Sequence, residues 1–158
     1  MESNWDKNIS SFIQLANNHE VRMIMVGSGA MGFYGIKSHT SDVHFWIADT
    51  SKNLSKLMLV FKEMSTNLTG FSAPVLIRKQ DISLQFSSTS PKLELIANFI
   101  VNKSFSWAYD DSVKIFSSQN SGVKWRVLAL EDLIVSKSKP QNIQDRIDFE
   151  ALKRINGE

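Results

Sequence analysis

Apolar residues recur at Trp5, Ile9, Phe12, Ile13, Leu15 and Ala16, the spacing of one face of an amphipathic helix over 5–18. Val21-Arg22-Met23-Ile24-Met25-Val26 is a mostly apolar run, short enough to predict a strand near the centre of a sheet. Gly27-Ser28-Gly29 breaks that run, and 28–37 suits a short helix of two turns or so. Residues 42–48 read as a second strand. Asp49-Thr50-Ser51 then offers capping side chains for a helix over 52–68, with Leu54, Leu57, Met58, Phe61 and Met64 inward.

The period changes after Pro74. Val75-Leu76-Ile77-Arg78 predicts a strand, and Ile82-Ser83-Leu84-Gln85-Phe86 alternates as a half-buried strand does. Residues 93–97 predict another. Phe105, Trp107 and Tyr109 alternate, but 105–110 fits strand and helix equally. Residues 113–116 and 123–127 alternate around a Ser/Asn/Gly turn at 117–122. A helix begins at Leu130 and reaches Lys137, Pro140 punctuates it, and a last helix covers 141–155. The order α-β-α-β-α, then several strands, then two helices, predicts one α+β domain with a mixed sheet over residues 1–158. It is not a regular βαβ series.

Composition narrows the chemistry. At 42% hydrophobic residues in 158, the chain has enough apolar material for one sizeable core. The absence of cysteine removes disulfides and thiolate metal sites. The net charge of +2 is too small to announce nucleic-acid binding, and the Lys/Arg excess near the C-terminal end reads as a solvated helix face. No apolar run approaches the ~20 residues of a membrane span. Residues 1–6 lack the basic and apolar regions of a signal peptide, so the expected location is cytoplasmic, with no membrane partner.

Two readings involve phosphate. Gly27-Ser28-Gly29-Ala30-Met31-Gly32 satisfies the dinucleotide-binding pattern G-x-G-x-x-G, with Asp49 about 20 residues on as a ribose-binding acid. That reading requires a parallel βαβ unit, for which this crossover is short. The second reading places Gly27 and Ser28 as backbone and hydroxyl donors to phosphate after a strand. Asp42 and residue 44, two apart on the next strand, then project from one face.

Gly27, Ser28, Ala30, Gly35, Thr40, Asp42 and Trp46 stand at positions matching G-G-x-A-x-x-x-x-G-x-x-R-x-T-x-D-x-D-x-W. Leu130-Glu131-Asp132-Leu133-Ile134-Val135-Ser136-Lys137 and Gln144-Asp145-Arg146-Ile147-Asp148-Phe149-Glu150-Ala151-Leu152 follow L-x-D-L-I-x-x-K and K-D-x-x-D-L-x-A-L. In these features the chain resembles the nucleotidyltransferase superfamily, and more closely its small bacterial minimal-nucleotidyltransferase-like proteins of the AbiEii type. The resemblance implies a polymerase-beta-like mixed sheet flanked by helices. It also implies transfer of a nucleoside monophosphate from an NTP to a hydroxyl acceptor, which is a protein side chain, an RNA end or a small molecule. Asp42 and Glu94 become the candidate catalytic carboxylates. Asp42, residue 44 and Glu94 become candidate ligands for Mg²⁺ or Mn²⁺. Lys137 is expected to meet phosphate as a point charge, with Asp145 orienting it. A partner protein, as in toxin–antitoxin pairs, is expected by analogy.

Two positions depart from the pattern: position 38, where it has Arg, is Ser, with Lys37 beside it, and position 44 matters more. Position 44 is His, a poor ligand for Mg²⁺ and a better one for Mn²⁺ or Zn²⁺, and it removes a negative charge from the expected site. The expected consequence is weakened or absent activity, leaving a non-catalytic NTP-binding or protein-interaction module of the same fold as the alternative. Plainer readings stand beside these. Gly27-Ser28-Gly29 also suits a tight turn without a ligand, Asp42 a turn cap, Glu94 an exposed strand face, and Lys137 with Asp145 a helix-surface pair. Phe105, Trp107 and Tyr109 suit core packing as well as base stacking. His39, Asp42 and His44 form a sparse zinc set with no evident fourth ligand. His19 reads as a surface residue at a helix end.

Overall fold

Asp6 begins the first helix by accepting a hydrogen bond from the Asn8 N–H at 2.7 Å, so α1 runs Lys7–Asn18 with Ile9, Phe12, Ile13 and Ala16 buried. The computed structural model describes residues 6–37, 40–116 and 124–157. Trp5, His39 and the expected turn at 117–122 lie outside those residues. After α1 come β1 (Met23–Val26), α2 (Gly27–Phe33), β2 (Val43–Ile47), α3 (Ser51–Asn67), β3 (Ile82–Gln85) and β4 (Lys92–Ile96). The chain continues through α4 (Phe105–Asp111), β5 (Val113–Phe116), β6 (Lys124–Val127), α5 (Leu130–Lys137) and α6 (Ile143–Ile155). Among the described residues this is an α+β chain with six helices and one mixed sheet of six strands.

The sheet order is β3-β4-β2-β1-β6-β5. β1 runs antiparallel to β2 and parallel to β6, β2 runs parallel to β4, and β3 and β5 are antiparallel edges. The antiparallel β1–β2 pair removes the dinucleotide-binding reading, because that motif needs its two strands parallel. Asp49, its expected ribose acid, instead accepts from Arg78 Nε at 3.0 Å and from the Lys79 N–H at 3.1 Å.

The register places Ile82, Leu95, Phe45, Met25, Val127 and Val113 on one rung across all six strands. All are buried except Val113, on the open β5 edge. Phe45 meets Phe12 of α1, and Phe12 stacks on Phe61 of α3, which fixes both helices to this face. Asn53 in α3 is buried and satisfied: its side chain accepts from the Arg22 N–H and donates to the Arg22 and Ala48 carbonyls. On the opposite face Trp46 packs against Phe99 and Phe105, and Tyr109 stacks on Phe105.

Three expectations change. Residues 75–78 join no strand of the sheet, although the segment is extended in its alternation: Leu76 packs toward the core while Val75 and Ile77 face out. Met58 lies on the outer face of α3, 58% exposed, so the buried stripe runs through Leu57, Val60, Phe61 and Met64. The ambiguous 105–110 is helical because Ser104 caps it through the Trp107 N–H, leaving Trp107 outward and Phe105 and Tyr109 inward.

Candidate functional site

β2 enters the sheet at Val43, and every second residue from there faces α1 and α3, so His44 faces the other way. His44 is the ladder partner of Glu94 on the parallel β4 and of Val26 at the end of β1. Ser83 on β3 is in turn opposite Glu94. The rung Ser83–Glu94–His44–Val26 therefore lies one residue from the apolar rung and on the other face. Asp42, two residues before His44, reaches across the same strand gap, and its Oδ1 accepts from the Lys92 N–H at 2.8 Å. The fold thus brings residues 42, 44 and 94 to one end of the β2–β4 pair.

Gly27 closes the site from the β1 side. Its φ is +61°, a left-handed conformation that favours glycine, and a Cβ there would lie 3.3 Å from His44 Nδ1. The left-handed backbone favours glycine here, and an added Cβ would press on the imidazole packed against it. Ser28 is half-buried at the second position of α2. Tyr34, just past α2, donates from its hydroxyl to the Leu128 carbonyl at 2.7 Å and ties that short helix to the exit of β6. Burial, assisted by the Asp132 charge, pushes the Tyr34 hydroxyl up to about 12, so it remains a donor throughout the neutral range.

The electrostatics centre on His44. Burial pushes its pKa below the ordinary histidine value and the Lys137 charge pushes the same way, while Glu94 and Asp42 pull it up. The net direction keeps the ring neutral at pH 7. Its Nδ1 is buried with no hydrogen-bond partner. Glu94 Oε1 accepts from Ser83 Oγ at 2.8 Å.

Lys137, at the end of α5, is held from two sides on α6. Its Nζ lies 3.1 Å from Asp145 Oδ1 and 3.3 Å from Asp148 Oδ2. The expected Lys137–Asp145 pair is therefore present, and the buried Asp148 makes it a triad that the pairwise reading missed. The signal was available, since residues three apart share a helix face. Burial alone would raise the Asp145 pKa. The Gln141 N–H and Lys137 outweigh it and hold the carboxyl below its usual value.

The donors test the implied metal. Two carboxylates and one neutral imidazole suit Mn²⁺ better than Mg²⁺, which prefers oxygen throughout. A metal-bound imidazole generally donates its second N–H to an acceptor, and His44 Nδ1, packed against Gly27, has none. Among the described residues, no three of His, Asp and Glu are grouped so as to hold one ion in this side-chain arrangement. The residues present fit Mg²⁺ poorly. The zinc set through His39 falls outside the described residues. Among those residues no helix is long and apolar enough to cross a membrane. No protein-family model matches the chain, and no curated protein matches it.

Proposed function

We propose that this chain is a nucleotidyltransferase-like protein that binds an NTP at the Gly27–Ser28 turn and transfers its nucleoside monophosphate weakly, if at all, because residue 44 is His. The observation that carries the reading is the β2–β4 pairing, which sets residue 44 beside Glu94 with Asp42 at the same strand end. Lys137 supports it, since its charge is felt at His44 from a helix outside the sheet. In this reading Gly27 and Ser28 contact phosphate, Lys137 neutralises it as a point charge, and Asp145 and Asp148 position Lys137. A divalent cation of the Mn²⁺ type, which tolerates an imidazole beside carboxylates, would supply charge neutralisation on the triphosphate. The acceptor is a hydroxyl of a protein, an RNA end or a small molecule, and a partner protein is part of the same proposal.

The test has two steps. Calorimetry with each NTP in the presence of Mn²⁺ measures binding, and labelled NTP with candidate acceptors measures pyrophosphate release. NTP binding lost in Lys137→Ala, with slow or no release by the parent chain, is expected. A chain that binds no NTP in the presence of Mn²⁺ contradicts the proposal.

The second reading is a non-catalytic module of this fold. The imidazole sealed against Gly27 favours it, because such a ring gives no ready place for a second cation. NTP binding without release, even after His44→Asp, selects this reading.

A further inference from the structure

Tyr109 holds two arginines at once. The Arg22 guanidinium lies 4.5 Å from the centre of its ring and that of Arg126 4.1 Å. Both come from the sheet face that carries His44. Met25 lies beside Val127 in the parallel β1–β6 pair, and strand side chains alternate, so Arg22 and Arg126 belong to the face opposite Met25. Lys114 on β5 is the ladder partner of Arg126 and adds a third cation there, exposed to solvent.

These charges are uncompensated. Among the described residues no carboxylate forms an ion pair with Arg22, Arg126 or Lys114. Asp110, next to Tyr109 in α4, pairs with none of them, and Asp111 is taken by Lys103 at 2.9 Å. Like charges facing each other across a strand pair cost stability, which the aromatic ring offsets only in part. Arg126 has a structural duty, since its Nη1 donates to the Tyr109 carbonyl at 3.1 Å where α4 ends. Arg22 has none of that kind. Its side chain is exposed, and among the described residues its hydrogen bonds involve the backbone alone.

We propose that Arg22 and Arg126, arranged on Tyr109 and supported by Lys114, bind a phosphate group. Stacking on the ring limits the freedom of a guanidinium and leaves the N–H edge of Arg22 open to an acceptor. Phosphate takes such a fork with two parallel hydrogen bonds, and as a dianion it offsets more of the gathered charge than a carboxylate does. The site is separate from the one proposed for NTP, because Arg22 precedes the first residue of β1 and Gly27 follows its last. The phosphate belongs to a small molecule or to a single-stranded polynucleotide. In the second case Lys114 meets the adjacent phosphate.

NMR titration of the isotope-labelled full chain with inorganic phosphate and with a short single-stranded oligonucleotide tests this, with chloride exchanged to hold the ionic strength fixed. Saturable shifts are expected at the Arg22 Nε–H and the Tyr109 amide. Arg22→Gln, a change at an exposed side chain, is expected to leave thermal unfolding as in the parent and to weaken binding about fivefold or more. Arg22→Lys keeps the charge without the planar fork and should lose most of the same affinity. Lys62→Gln, on α3 over the other face of the sheet, should lose none. Tighter binding of the oligonucleotide, weakened by Lys114→Gln, assigns the phosphate to a polynucleotide. Inorganic phosphate binding as tightly, indifferent to Lys114→Gln, assigns it to a small molecule. Three results overturn the proposal: no saturable shift with either ligand; equal weakening by Arg22→Gln and Lys62→Gln; or the same shifts from chloride alone.

Discussion

Two rungs of one sheet, a single residue apart, follow opposite rules. Ile82–Leu95–Phe45–Met25–Val127 is buried, apolar and covered by α1 and α3. Ser83–Glu94–His44–Val26 carries a carboxylate and a histidine, with one buried nitrogen lacking a partner. The first rung maximises burial, and the second leaves a polar atom unmet that an apolar side chain would not. Because strand side chains alternate, β2 serves both without compromise: Val43, Phe45 and Ile47 hold the fold while His44 faces the opposite side of the sheet, beside Glu94 and Gly27. Stability and candidate chemistry are separated by strand parity rather than by position in the chain.

Breaking the apolar rung should cost most. Phe45→Ala removes a fully buried ring that contacts Phe12, and a loss of about 3–5 kcal/mol is expected in urea unfolding. A loss near zero would mean that α1 and α3 are not packed on this face as described.

On the polar side the largest effect is expected at Lys137. Lys137→Ala strands the buried Asp148 carboxylate, with a loss of about 2 kcal/mol after allowance for the partial exposure of the lysine. Adding Asp148→Asn should recover part of that loss. Unfolding of the single and double variants checks it, and additive losses would contradict the triad.

His44 sharpens the comparison most finely. Leucine removes an imidazole whose Nδ1 is unpaired, so His44→Leu should leave stability unchanged or raise it by about 1 kcal/mol. The pH dependence has a definite sign. The folded pKa is lowered from 6.5, so the unfolded chain binds the proton more readily and the parent loses stability as pH falls below about 6.5. Thermal unfolding of His44→Leu between neutral pH and pH 5 should lack that component of the slope.

Much of this was legible in the sequence for local reasons. Helical periodicity placed α1, α3 and α6, and Thr50 and the Leu130–Lys137 pattern marked helix starts. The strands holding His44 and Glu94 were legible too, while their pairing, and Lys137 beside Asp145, were expected only from the resemblance. The failures were non-local. Whether 75–78 finds a strand partner depends on the sheet's edge, which alternation does not encode. The sense of the β1–β2 pair, on which the dinucleotide reading turned, depends on how the chain returns after α2. The orphaned Nδ1 depends on a contact with Gly27 that neither residue's type reveals.

In the proposed function, His44 is what separates this site from one that holds divalent cations and transfers nucleotides. Pyrophosphate release from labelled NTP, measured for the parent and His44→Asp with Mg²⁺ and with Mn²⁺ and the same acceptors, tests it most directly. Release by His44→Asp under Mg²⁺ is expected to lie well above the parent's, accompanied by a Mg²⁺-dependent rise in Tm that the parent lacks. Equal release and equal Tm shifts in the two proteins would contradict it.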